Sequence, residues 1–133
     1  MPDSRILSGK LRSTGALWGR RVLVVEDDYL LAGELRSWLA GEGATVIGPV
    51  PRVDTALELL DHSPLPSLAV LDVNLQGRMV WPVADALIAR DIPFVFVTGY
   101  DAEVIPHAYA QAPRAEKPVE LRQLLRLLLS VGG

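Results

Sequence analysis

Four short apolar runs and a fifth, shorter and mixed segment recur along this chain, each stopping at a polar residue or a proline, with room for about one helix between one and the next. Residues 22–25 (VLVV) stop at Glu26-Asp27-Asp28, and residues 44–48 (ATVIG) at Pro49. Residues 68–71 (LAVL) stop at Asp72 and residues 94–97 (FVFV) at Thr98, while the mixed segment 113–116 (PRAE) reads as a short fifth strand ending at Lys117. Runs of this length without polar alternation fit strands buried on both faces, as in parallel sheets covered by helices. The alternation predicts a doubly wound α/β fold with right-handed crossovers.

The intervening segments carry helical signals. Leu31, Leu35, Trp38 and Leu39 share one helical face, closed by Gly41 or Gly43. Asp54 starts a second helix with Ala56, Leu57 and Leu60 as its stripe, and Trp81-Pro82 opens a third through Ala84, Leu87 and Ile88. Residues 73–79 read as a loop pivoting on Gly77, and Pro49 and Pro51 are expected to end the second strand. Residues 101–112 are ambiguous, because Pro106 interrupts the face formed by Val104, Ile105 and Ala108. Leu121, Leu124, Leu125 and Leu128 predict a final helix; Leu127 and Leu129 lie off that stripe, so either two faces are buried or one is a contact surface for a partner or a second copy of the chain.

At 133 residues, half of them hydrophobic, the sequence suffices for one core, expected over residues 20–133. Residues 1–19, rich in Ser, Gly and bases, read as a flexible basic N-terminal extension. Residues 1–21 hold five of the 13 bases and one of the 16 acids, leaving eight bases against 15 acids in the rest. That acidic body argues against nucleic-acid binding, which rests on phosphate neutralisation. Without cysteine there is no disulfide framework and no thiolate zinc site. No apolar run approaches the roughly 18 residues that span a bilayer, so no membrane association is expected and the location read is cytoplasmic.

In a doubly wound sheet the strand ends meet at one edge, where ligands bind. Glu26, Asp27 and Asp72 would form an all-oxygen cluster suited to a hard cation such as Mg²⁺. Asp28 reads more simply as a helix cap. Thr98 and Lys117 would face the oxygens of a phosphoryl group, and Asp72 would be its nucleophile, forming an acyl phosphate. Lys117 is one of only two lysines beside eleven arginines, consistent with a site that wants a compact point charge. His62 and His107 read as solvated.

The ordered set VLVVEDD, LAVLDVNL, FVFVTGY and AEKPV resembles the receiver domain of two-component response regulators over about residues 21–131. The resemblance implies a flavodoxin-like (βα)5 fold with a five-stranded parallel sheet in the order 2-1-3-4-5. It implies Asp72 as phosphoacceptor, Glu26, Asp27 and Asp72 with the Asn74 carbonyl as ligands of Mg²⁺, Thr98 and Lys117 as phosphoryl-binding residues, and a cis bond at Lys117-Pro118. The sequence departs from the pattern at the strand-five switch aromatic, whose position holds Arg114; Tyr100 is the other switch candidate. FVFVTGY is similar to a subclass with a Phe-Ala-Thr-Gly-Tyr motif that lacks that aromatic, although Val97 replaces Ala.

The implied function is that of a single-domain response regulator. It would accept a phosphoryl group on Asp72 from a sensor histidine kinase or a histidine phosphotransfer protein, and pass the signal to a downstream protein by contact or relay. Such a protein is a phosphoacceptor and not an enzyme acting on a separate substrate. The alternative is a receiver-like interaction module whose binding ignores phosphorylation. Toprim-type enzymes and haloacid-dehalogenase-type phosphatases want a second acid two residues after the first, where this chain has Asn74.

Overall fold

The computed structural model describes residues 15–62, 64–99 and 105–132. Strand β1 (Arg21–Val25) leads to helix α1 (Tyr29–Gly41), β2 (Thr45–Val50), α2 (Val53–Leu60) and β3 (Leu68–Asp72). A small ladder, β4 (Asn74–Leu75) with β5 (Arg78–Met79), precedes α3 (Trp81–Ala89). Then follow β6 (Phe94–Thr98), a 3₁₀ turn (His107–Tyr109), β7 (Arg114–Glu116) and α4 (Leu121–Gly132). The main sheet runs β2-β1-β3-β6-β7, parallel at every pairing. With the ladder set aside, this is the expected 2-1-3-4-5 order of a flavodoxin-like receiver fold.

The absence of polar alternation in the strands follows from burial on both faces. Leu23, Val25, Ala69, Leu71, Phe94 and Phe96 face a core closed by Val53, Ala56 and Leu60 of α2 and by Val83, Ala84 and Leu87 of α3. Their neighbours Val22, Val24, Leu68, Val70, Val95 and Val97 face a second core closed by Leu35 and Leu39 of α1 and by Leu124 and Leu128 of α4. Each strand residue therefore alternates between two apolar layers. In α4, Leu127 packs against the second core while Leu129 is exposed. Among the described residues, no helix is long and apolar enough to cross a membrane.

Two expectations change. Strand β2 does not stop before Pro49: it is an edge strand, where a missing N–H is tolerated, and it runs on to Val50 through a register irregularity opposite Leu23 and Val25. The loop after Asp72 is a hairpin whose turn residues Gln76 (φ 56) and Gly77 (φ 95) both take the left-handed conformation. Only the last five residues of the expected N-terminal extension lie within the described range; of these Leu17 is buried in the second core, its N–H donating to the Glu42 carbonyl at 2.8 Å, while Ala16, Trp18 and Gly19 are exposed. In the ambiguous stretch 101–112, residues 105–112 contain a single 3₁₀ turn, with Pro106 as its N-cap. Gly48–Pro49 and Lys117–Pro118 are both cis.

The β2 irregularity bears on the site. It brings Val50 into line so that its carbonyl accepts from the Glu26 N–H at 3.0 Å, tying the end of β1 to the edge strand. Gly48 sits in this bend at φ +92, where a Cβ would come within 2.9 Å of the Val24 oxygen and the Val50 nitrogen, both backbone atoms. Gly48→Ala is expected to cost about 2 kcal/mol or more in urea unfolding. Gly33→Ala, within α1 and with nothing near its added Cβ, is expected to stabilise by about 0.5–1 kcal/mol in the same measurement.

Candidate functional site

The ends of β1, β3, β6 and the residue after β7 converge at one edge of the sheet. Asp72 is the last residue of β3 and pairs in register with Val97, so Thr98 projects from the adjacent strand one step further. Glu26, Asp72 and Thr98 are 2%, 3% and 0% exposed, which sets them apart as the buried polar residues among those described. Carboxylate oxygens of Glu26, Asp27 and Asp72 lie within 4.8 Å of one another. The Lys117 ammonium donates to Asp72 Oδ2 at 3.1 Å and lies 3.5 Å from Glu26 Oε2. Its backbone N–H donates to the Thr98 carbonyl at 2.8 Å, so β7 delivers Lys117 by extending the β6 ladder by one bond.

Local structure holds the carboxylates in place. Asp28 caps α1, its Oδ1 accepting from the Leu31 N–H at 3.1 Å, while its own N–H donates to Glu26 Oε2 at 3.0 Å. The sequence reading of Asp28 as a cap therefore holds, and the same residue fixes one Glu26 oxygen. On the other side, the Asn74 N–H donates to Asp72 Oδ1 at 3.2 Å and the Asn74 side chain accepts from the Gly77 N–H at 2.6 Å. The hairpin thus starts by orienting the carboxylate that precedes it. Thr98 Oγ1 is 3.5 Å from the Gly99 carbonyl, a distance at which a hydroxyl is weakly held.

The electrostatics are those of crowded acids. Burial, and then the neighbouring Asp72, push the Glu26 carboxyl up to about 8; burial and Asp72 also raise Asp27. For Lys117, burial works against the ammonium, but Asp72 and Glu26 outweigh it and hold its pKa above the usual value. Glu26 Oε1 is buried and accepts no hydrogen bond. A buried carboxylate oxygen without a donor, beside two more carboxylates, fits a hard divalent cation by donor type, charge and unmet need. Glu26, Asp27 and Asp72, with the Asn74 carbonyl, are the groups that would hold it.

Of the two switch candidates, Tyr100 lies outside the described residues, and Arg114 is half-buried at the start of β7, in register with Phe96. The sequence reading passed over Tyr109. It is buried, its ring stacks on Trp81 with centroids 5.2 Å apart and meets Phe96 edge-on at 6.2 Å, and its hydroxyl donates to Asp85 Oδ1. Burial, and then that bond, push the phenol up to about 12. The available signal was an aromatic residue in the stretch that Pro106 made ambiguous.

A five-stranded doubly wound sheet with three acids, a threonine and a lysine at its C-terminal edge is the arrangement of a receiver-type fold. No family model matches the sequence. The chain is similar to the solution structure of SdrG from Sphingomonas melonis Fr1, at 36% identity over 88% of this chain and 97% of that one, with a TM-score of 0.74. It is also similar to a response regulator receiver protein from Burkholderia phymatum, at 25% identity over 86% of this chain and 95% of that one, with a TM-score of 0.73. Among curated proteins it resembles the phyllosphere-induced regulator PhyR of Methylorubrum extorquens, 29% identical over 91 residues. That alignment takes in 67% of this chain, which spans only about a third (34%) of PhyR. The chain belongs to the response regulator receiver domains.

In the metal-free fold, Glu26 keeps its proton to higher pH than it does in the unfolded chain. Its contribution to stability is therefore lost as the pH rises from about 5 to about 8. The melting temperature of wild type relative to Glu26→Gln is expected to fall over that range without divalent cation. Mg²⁺ is expected to raise the wild-type melting temperature more at about pH 8 than at about pH 5, and to do less for Glu26→Gln.

Proposed function

We propose that this protein is a signalling phosphoacceptor that takes a phosphoryl group onto Asp72 from the phosphohistidine of a sensor histidine kinase or a histidine phosphotransfer protein. The observation that carries the reading is the Lys117–Asp72 pair beside the donor-less oxygen of Glu26, in a chain of the receiver family. An Asp72 oxygen attacks phosphorus as the P–N bond to the donor imidazole breaks, and the imidazole nitrogen leaves with the bonding electrons and takes up a proton. The product is an acyl phosphate.

The chain's own residues supply the positioning. The Asn74 N–H and the Lys117 ammonium each hold one Asp72 oxygen, leaving the carboxylate aimed along the sheet edge. After transfer, Lys117 meets the oxygens added to Asp72 and the Thr98 hydroxyl turns from its weak contact with Gly99 to donate to another. Mg²⁺, held by Glu26, Asp27, Asp72 and the Asn74 carbonyl, would neutralise charge on the approaching phosphoryl group. Burial of Glu26 and Asp72 keeps water from competing for these donors. SdrG, 37% identical over 82% of this chain, has a solved BeF₃-activated conformation, which supports the reading of this chain as a receiver that responds to a phosphoryl group.

Incubation with a small phosphodonor and Mg²⁺ is expected to label wild type and not Asp72→Asn; equal labelling would overturn the assignment. Lys117→Ala is expected to lower the labelling rate by about 100-fold, the scale of losing one positioned charge in phosphoryl transfer. Chelation of divalent cations is expected to abolish labelling.

A further inference from the structure

The connection from Thr98 to Lys117 joins two residues of the site, and among its described residues ahead of β7 (residue 99 and residues 105–113) Tyr109 is the one that is buried. Its ring lies against Trp81, the first residue of α3, which follows directly on the hairpin that begins two residues after Asp72. The chain therefore closes a circuit. Asp72 leads through β4 and β5 to Trp81, Trp81 stacks on Tyr109, Tyr109 leads through β7 to Lys117, and Lys117 bonds Asp72. Two junctions in that circuit are non-covalent: the Lys117–Asp72 ion pair at the site and the Trp81–Tyr109 stack at the far side.

The far junction is built to hold. The stack is nearly parallel, at 13°, and Phe96 closes it edge-on against both rings. The Tyr109 hydroxyl reaches Asp85, one turn along α3 from Trp81, and its raised pKa keeps it a donor throughout the physiological range. Anything that draws Lys117 away from its present position on Asp72 acts on this junction through the short stretch Ala110–Glu116.

We propose that Tyr109 is a latch for the unphosphorylated state: its bond to Asp85 holds the Thr98–Lys117 connection against α3, and phosphorylation of Asp72 works against that bond. This rests on the phosphoacceptor reading above. An interaction made in one state and lost in the other biases the equilibrium toward the first, and the coupling is reciprocal. Cutting the latch therefore favours the phosphorylated form.

The test uses the full chain with Mg²⁺ and beryllofluoride as the phosphoryl mimic. The readout is Trp81 fluorescence in a Trp18→Phe, Trp38→Phe background. Tyr109→Phe keeps the ring and removes the hydroxyl; it is expected to tighten apparent mimic affinity by about three- to ten-fold, the net scale of one typical intramolecular hydrogen bond. Asp85→Ala is expected to do the same, Asp85→Asn, which keeps an acceptor, to stay near wild type, and the Tyr109→Phe/Asp85→Ala double variant to gain nothing over either single one. Unchanged or weaker affinity in both single variants, or additive gains in the double variant, would overturn the latch. A purely structural Tyr109 would lower the melting temperature and leave mimic affinity alone. Wild type that fails to bind the mimic would instead refute the phosphoacceptor reading, and the latch with it.

Discussion

The structure is arranged around a shortage of positive charge. Glu26, Asp27 and Asp72 bring carboxylate oxygens within 4.8 Å of one another at a largely buried edge, and the ammonium that meets them is that of Lys117. One cation cannot balance three acids, two of them buried, and the protein accommodates the deficit by raising Glu26 and Asp27. A core selected for stability alone would replace such a cluster with apolar side chains. Here the imbalance gives the site the donor set and charge that suit a hard divalent cation.

Holding that imbalance takes backbone from every part of the fold. Each acid sits at the end of a strand whose neighbours are locked on both sides, so the carboxylates cannot drift apart to relieve repulsion. Glu26 is held by the Val50 carbonyl on its own N–H and by the Asp28 N–H on its side chain; Asp72 is held by Asn74 and Lys117. The edge strand reaches Val50 only because the bend at Gly48 and Pro49 realigns it. A feature of the least protected strand thus supports the most buried acid.

The same edge links chemistry to shape. Thr98 and Lys117 are the two ends of one connection, and that connection rests on α3 through a tyrosine, a tryptophan and a phenylalanine. Strand β7 is three residues long and pairs with β6, and among the described residues Tyr109, with Ile105 and Ala112 beside it, packs this side onto the core.

Much of this was legible in the residues themselves. Apolar runs without alternation specify strands buried on both faces, the spacing between them specifies helices, and acids, a threonine and a lysine at the run ends specify the edge where chemistry collects; these are local patterns with local causes. Pro49 misled because a proline ends a strand only where its N–H is needed, and whether a strand lies at the edge depends on its neighbours. The buried state of Leu17, the pairing of Asp28 with Glu26, and the Tyr109–Trp81–Asp85 junction join residues far apart or set by loop geometry, and no periodicity records them. The sequence determined which groups the site contains and on which strands, because a strand's end is fixed where burial gives way to charge. Only the tertiary structure decided how those groups share too little positive charge, because that depends on distances between strands that never meet in the sequence.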